Sequence, residues 1–178
     1  MRLTRLAAVA GFVAVLALVG PARAEKEVKV VLKGVHLCCG GCVKTVGEVL
    51  GKVDGVKPKC DQEAKTVTIT AKDTETAKKA LKALADAGFH GDTGDKDLAI
   101  KDDSGAEKGK VKTLTLTGTH NCCGMCCKGI KTTLKKVDGV TGDTAKPKET
   151  TFDVTGDFDA VEVVKALNDA GYHVKVKK

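Results

Sequence analysis

Aromatic side chains are nearly missing from this chain: there is no tryptophan, one tyrosine and four phenylalanines in 178 residues. So few rings cannot build a platform on which bases stack, and the formal charge of +7 is carried by scattered lysines that often neighbour acids, so no nucleic acid partner is expected. No serine or carboxylate motif pairs recognisably with the four histidines, and no glycine-rich phosphate loop is present, which argues against an enzyme. Beyond the N-terminus there is no second apolar stretch approaching the roughly 20 residues a bilayer core requires.

The N-terminus itself sets the redox compartment. Arg2 and Arg5 form a short basic region, an apolar run follows from Leu6 to Val19, and Gly20-Pro21 breaks it before the small-residue pattern Ala22-Arg23-Ala24. That order is the layout of a secretory signal peptide over residues 1–24, cleaved after Ala24. The expected mature chain is periplasmic or secreted, with no membrane association after cleavage. Losing this segment lowers the formal charge by its three arginines. An exported chain with eight cysteines would ordinarily suggest a disulfide scaffold, but the spacing of these cysteines points elsewhere.

The chain repeats itself. His36-Leu37-Cys38-Cys39-Gly40-Gly41-Cys42 returns as His120-Asn121-Cys122-Cys123-Gly124-Met125-Cys126, at an offset of 84. Lys52-Val53-Asp54-Gly55-Val56 returns as Lys136-Val137-Asp138-Gly139-Val140, and Ala87-Gly88-Phe89-His90 as Ala170-Gly171-Tyr172-His173 at an offset of 83. Self-similarity over most of the chain implies a duplicated domain, here 25–103 and 111–178. Each copy has about 70 residues, a size at which metals or disulfides commonly supplement a small core. The Gly-, Asp-, Lys- and Ser-rich stretch from Asp92 to Lys110 is the natural linker, although Leu98-Ala99-Ile100 is a candidate last strand for the first copy.

Hydrophobic period assigns the elements. Glu27 to Val35 is β-branched and apolar, and Leu114, Leu116, Gly118 and His120 alternate with threonines; both read as strands. After each cysteine motif the period lengthens: Val46, Leu50 and Val53 share one helical face, as do Cys127, Ile130, Leu134 and Val137. Asp54-Gly55 and Asp138-Gly139 end those helices. Thr66–Thr70 and Thr151–Val154 are strands, Ala77 to Ala85 and Val161 to Ala170 second helices, and Tyr172–Val176 a closing strand. A further strand at Val56–Cys60 and near Val140 completes the order. The fold class is α+β: two tandem ferredoxin-like (βαββαβ) domains after a cleaved signal peptide.

Each Cys-x-x-Cys thus falls between a strand and a helix. Cysteine binds metal as the thiolate, whose free pKa is about 8.5. The mouth of a helix favours that form through its unpaired N–H groups and dipole. Two intervening residues let two sulfurs converge on one ion, and paired soft thiolates suit Cu(I) and, by the same logic, Hg(II). A structural Zn(II) site would take four ligands.

A Cys-x-x-Cys loop in this strand-to-helix context, the run Cys42-Val43-x-x-Val46-x-x-Val49-Leu50, and the pairs Gly88-Phe89 and Gly171-Tyr172 before the last strand together resemble the heavy-metal-associated domain. That fold occurs in copper chaperones, in the N-terminal domains of metal-pumping ATPases and in the periplasmic mercury-binding protein. The resemblance implies metal ligands at Cys39, Cys42, Cys123 and Cys126, Cu(I) as the foremost ion, a pair Gly-aromatic loop beside each site, and transfer of the ion through shared ligands. The implied partner is a metal-transporting ATPase or another metal-transfer protein.

This chain also departs from that family, whose members usually carry methionine two residues before the first cysteine. Leu37 and Asn121 stand there, each followed by a further cysteine, Cys38 or Cys122. A second alignment therefore makes Cys38 and Cys122 the first ligands and puts His36 and His120 at the methionine position. His36 and His120 read either as inner-face strand residues or as additional ligands, and His with Cys would admit Zn(II) or Cd(II). Adjacent side chains on extended backbone point apart, so Cys38 and Cys39 are not expected to share an ion. His90 and His173 read as exposed strand residues, Cys60 and Cys127 as packing, with Cys127 a possible addition to a richer thiolate cluster, and Met125 as exposed. The expected function is an exported soft-metal-binding protein for scavenging, buffering or transfer. A thiol–disulfide oxidoreductase and a disulfide-stapled module without metal are the competing readings.

Overall fold

The computed structural model describes residues 26–178; the expected signal peptide lies outside them. Among the described residues no helix is long and apolar enough to cross a membrane.

The first unit runs β1 (Val28–Lys33), α1 (Gly40–Gly51), β2 (Val56–Asp61), β3 (Thr66–Ala71) and α2 (Thr74–Asp86). The second runs β4 (Lys110–Thr117), α3 (Gly124–Leu134), β5 (Val140–Asp143), β6 (Phe152–Asp159), α4 (Ala160–Asp169) and β7 (Lys175–Val176). The sheets have strand orders β1-β3-β2 and β5-β6-β4-β7, all neighbours antiparallel. This is the α+β arrangement expected from the sequence, with helices on one face of each sheet.

Alternation decides which face is covered. In β3, Val67, Ile69 and Ala71 are buried while the intervening threonines are half-buried. Val30 and Leu32 of β1 join them beneath Val46 and Leu50 of α1 and Ala77, Leu81 and Leu84 of α2. In the second unit Leu114, Leu116, Phe152 and Val154 meet Ile130, Leu134, Val163, Val164 and Leu167. Each fully buried Leu, Ile, Val or Phe contributes about 1.5–3 kcal/mol relative to exposure. Helices α2 and α4 start conventionally: Asp73 accepts from the Thr76 N–H at 2.6 Å and Asp159 from Val161 at 2.9 Å. The caps of α1 and α3 are instead Cys39 and Cys123.

The first unit does not complete its fourth strand. Leu98-Ala99-Ile100 forms no strand; only Asp92 bridges to Lys33, through hydrogen bonds of 2.8 and 2.9 Å. The cause is local. Carboxylates fold the chain into local turns on either side of that segment: Asp92 takes the Gly94 N–H at 2.8 Å, Asp95 that of Asp97 at 2.9 Å, and Asp102 that of Ser104 at 3.0 Å. The closing strand of the second unit is also shorter than its apolar pattern implies, because Tyr172 and His173 are diverted to the first unit. Tyr172 bridges to Phe89, the His173 N–H donates to Gly88 O at 3.0 Å, and the His90 N–H donates to Gly171 O at 3.0 Å.

Candidate metal centre

The two cysteine loops face each other. Each leads from a strand into a helix whose first turn is not closed by an oxygen-bearing side chain. Inside the first loop, Cys42 Sγ lies 3.6 Å from Cys38 Sγ and 3.8 Å from Cys39 Sγ; inside the second, Cys126 Sγ lies 3.5 Å from Cys122 Sγ and 3.9 Å from Cys123 Sγ. The approaches between loops are as short. Cys38 Sγ stands 3.4 Å from Cys126 and 4.0 Å from Cys123. Cys39 Sγ stands 3.9 Å from both Cys122 and Cys123. Cys42 Sγ stands 3.9 Å from Cys122 and 3.8 Å from Cys126. Six sulfurs therefore occupy one volume between the units, with Cys42 and Cys126 buried at its centre.

The Gly-aromatic loops hold this juxtaposition. Phe89 of the first unit stacks on His120 of the second, and Tyr172 of the second stacks on His36 of the first, both with ring centroids 4.2 Å apart. The Tyr172 hydroxyl lies 2.9 Å from His36 Nε2 and 2.9 Å from the Cys126 carbonyl oxygen, to which it donates. Glycine is required at both crossings: Gly88 and Gly171 have φ of +84° and +89°, and a Cβ on Gly88 would collide with the backbone of Gly118 and His120, one on Gly171 with that of Gly34 and His36. Each aromatic thus stacks on the histidine of the opposite copy.

The histidines and the doubled cysteines take their places accordingly. Ligand atoms within 4.8 Å of one another form three groups: His36, Cys38, Cys42 and Cys126; Cys42, His120, Cys122 and Cys126; and Cys38, Cys39 and Cys123. Cys38 and Cys39, which extended backbone would turn apart, fall in the last of these together. The extended stretch of this loop ends at Cys39, the cap residue, where the chain turns into the helix. His120 Nε2 is buried without a hydrogen-bond partner. Cys127 points away, with its thiol 3.2 Å from the Ala145 carbonyl oxygen, Cys60 lies half-buried on β2, and Met125 is 59% exposed.

Asn121, at the position of Leu37, is buried and fastens the second loop. Its Nδ2 donates to the carbonyls of Lys146 at 2.7 Å and Glu149 at 3.3 Å. His90 and His173 are not the exposed strand residues the sequence suggests. His173 is buried, its Nδ1 lies 3.1 Å from His90 Nδ1 and its Nε2 lies 2.7 Å from Asp103 Oδ1. This pair sits at the seam, outside the sulfur cluster. No property of a single copy announces it; the only signal is that both histidines follow the repeated Gly-aromatic pair.

The thiols differ in their readiness to ionise. Cys123 is lowered to about 7, chiefly by the Cys126 N–H and then by that of Met125, the helix-mouth effect expected from the sequence. A neutral thiol is a weak acceptor, consistent with the lack of a formal cap bond there. Burial pushes Cys122 up to about 12 and Cys38 well above the usual thiol range, and Cys42 is raised by its contact with Cys126 and by burial. Burial, then the charge of His120, lowers His36 to about 4, so its imidazole is neutral near pH 7. Without metal, most of these thiols keep their protons. An ion that enters must displace them, which suits a soft cation with high thiolate affinity. A crowded sulfur set with an orphaned imidazole nitrogen fits such an ion.

Residues 31–90 match the family model described as "Heavy-metal-associated domain". No curated protein matches the chain. The solved "Solution structure of the N-terminal soluble domains of Bacillus subtilis CopA" is 15% identical, with 86% of this chain and 95% of that one covered and a TM-score of 0.34, a likeness too loose to carry an argument. The first copy of the repeat, over residues 31–90, is thus similar to the heavy-metal-associated domain, a metal-binding family.

Proposed function

We propose that this protein binds soft metal ions outside the cytoplasm, with Cu(I) as its foremost cargo and Hg(II), Zn(II) and Cd(II) as competitors. The second copy is read as a heavy-metal-associated domain by its repeat of the motif, and the exported location by residues 1–24. One observation carries the reading: Cys38, Cys39, Cys42, Cys122, Cys123 and Cys126 converge through sulfur–sulfur approaches of 3.4–4.0 Å. A crowded set of thiols suits holding an ion, and the role we infer is scavenging, buffering or transfer. The partner class that goes with this domain is a metal-transporting ATPase or another metal-transfer protein.

The test is a competition titration of the reduced protein with Cu(I), Hg(II) and Zn(II) against chelators of known affinity. The soft ions should bind more tightly than Zn(II), and replacing Cys39, Cys42, Cys123 and Cys126 by serine should abolish tight binding. Equal binding by wild type and this variant contradicts the reading. The lowered Cys123 thiol favours one rival, a thiol–disulfide oxidoreductase. Rapid, metal-independent reduction of a test disulfide would establish that rival instead.

A further inference from the structure

The six sulfurs have a geometry that a pair of independent two-thiolate sites does not need. Zn(II), a closed-shell ion like Cu(I), bonds thiolate sulfur at about 2.3 Å. From that length, linear coordination sets two sulfurs about 4.6 Å apart, trigonal about 4.0 Å and tetrahedral about 3.8 Å. The pairs within one Cys-x-x-Cys, Cys39–Cys42 at 3.8 Å and Cys123–Cys126 at 3.9 Å, are too close for a linear ion and fall at the three- or four-coordinate spacing. The third sulfur comes from across the interface. Cys39, Cys42 and Cys122 form a triangle with edges of 3.8, 3.9 and 3.9 Å, and Cys38, Cys42 and Cys126 one with edges of 3.6, 3.4 and 3.8 Å. Both draw on the two loops together.

We propose that the protein holds a single four-ion Cu(I)–thiolate cluster shared between its two copies, in which Cys38, Cys39, Cys42, Cys122, Cys123 and Cys126 each bridge two ions. This rests on the soft-metal reading above and names its stoichiometry. Cys38, Cys39 and Cys123 lie within 4.8 Å of one another and supply a third face, and Cys122 and Cys123, 3.5 and 3.9 Å from Cys126, supply the fourth with it. Every sulfur belongs to two of the four faces. Four three-coordinate ions need twelve metal–sulfur bonds, and six bridging thiolates supply two each, so the sulfurs close the set without calling on His36 or His120, which border it. Six thiols give up whatever protons they still hold as four monovalent ions enter, and the bound cluster carries a net charge of −2. The N-termini of α1 and α3 both open on the site, each with roughly +0.5 of an elementary charge to set against it. A divalent ion that takes four thiolates would use most of the set at once and leave two sulfurs over.

Bridging makes loading cooperative. An ion in one face fixes sulfurs that the next two faces share, so partly filled states are disfavoured, and no ion leaves without breaking bonds at thiolates its neighbours use. Leu37, Cys42 and Cys126 are buried and the two aromatic–histidine stacks border the site, while Cys38, Cys39, Cys122 and Cys123 are half-buried. These are properties of a store that fills and empties as a unit.

Anaerobic titration of the reduced protein with Cu(I), followed by native mass spectrometry, tests this. The metal-free and four-copper species should dominate at every ratio below saturation, with emission from a water-shielded Cu(I)–thiolate core rising in proportion to the four-copper form. The double variant Cys38→Ser, Cys122→Ser keeps both Cys-x-x-Cys pairs; it should bind two ions or fewer and lose the emission. Saturation of the wild type at two ions, one per loop in sequence, overturns the cluster and leaves soft-metal binding intact. No tight Cu(I) at all overturns both. A double variant that still loads four ions also overturns the assignment, and the wild-type stoichiometry decides the matter should that variant fail to fold.

Discussion

Tyr172 shows how much one side chain can tie together. It is the chain's only tyrosine, its ring covers His36, and its hydroxyl meets both His36 and the carbonyl of a cysteine at the sulfur cluster. Tyr172→Phe would keep the ring and leave the half-buried imidazole and the carbonyl without that partner. Denaturant unfolding of the reduced, metal-free variant should show a loss of about 1–3 kcal/mol; an unchanged midpoint would contradict this role. Cys123 differs from the other thiols for an equally local reason, since helix N–H groups favour its thiolate while burial disfavours those of Cys38 and Cys122. Brief alkylation of the metal-free protein near pH 7, read by peptide mapping, should mark Cys123 ahead of both. Modification of Cys38 or Cys122 first would be the contrary result.

At the scale of elements, two crossing loops make the interface. Gly88 and Gly171 lie where a side chain would meet the backbone of the other copy, whereas a Cβ on Gly94 in the linker meets nothing within 4 Å. All three have positive φ, so alanine at Gly94 costs only the backbone term of about 1–2 kcal/mol. Gly88→Ala and Gly171→Ala should each lose clearly more, because the interface must open as well. Equal losses in a parallel unfolding series would show that the loops do not cross as described. Much of this architecture was legible in the sequence. The change of period after Cys42 and Cys126 marked the sulfur-capped helices, and the offset of 84 marked the duplication. Leu98 and Ile100 misled as a fourth strand of the first unit, since Asp92, Asp95 and Asp102 turn the chain on either side of them by capturing the amides of Gly94, Asp97 and Ser104. The burial of His173 was hidden for a different reason: a repeat specifies each copy and says nothing of how one copy packs against the other.

The whole molecule brings the copies together through buried imidazoles, and that gives its stability a pH dependence. Burial first, then the charge of His173, lowers His90 to about 4, with Asp92, Asp102 and Asp169 opposing the shift. The unfolded chain takes up a proton near the usual pH of about 6.5 and the folded chain does not. This contribution is therefore complete above pH 6.5 and lost as pH falls from there toward 4. Allowing for solvent screening, the slope should stay below about 1 kcal/mol per pH unit. His90→Gln should flatten the stability profile of the metal-free protein across that window; an identical slope would remove His90 as its source.

The central claim is that the two cysteine loops form one site. The most direct measurement is the Cu(I) affinity of the first loop, by chelator competition, when Cys122, Cys123 and Cys126 are all replaced by serine. A joint site predicts that removing the second loop's sulfurs weakens Cu(I) binding at Cys38, Cys39 and Cys42 by at least about 100-fold, or about 2.7 kcal/mol. Wild-type affinity at the first loop in that variant would show two independent sites and contradict the account.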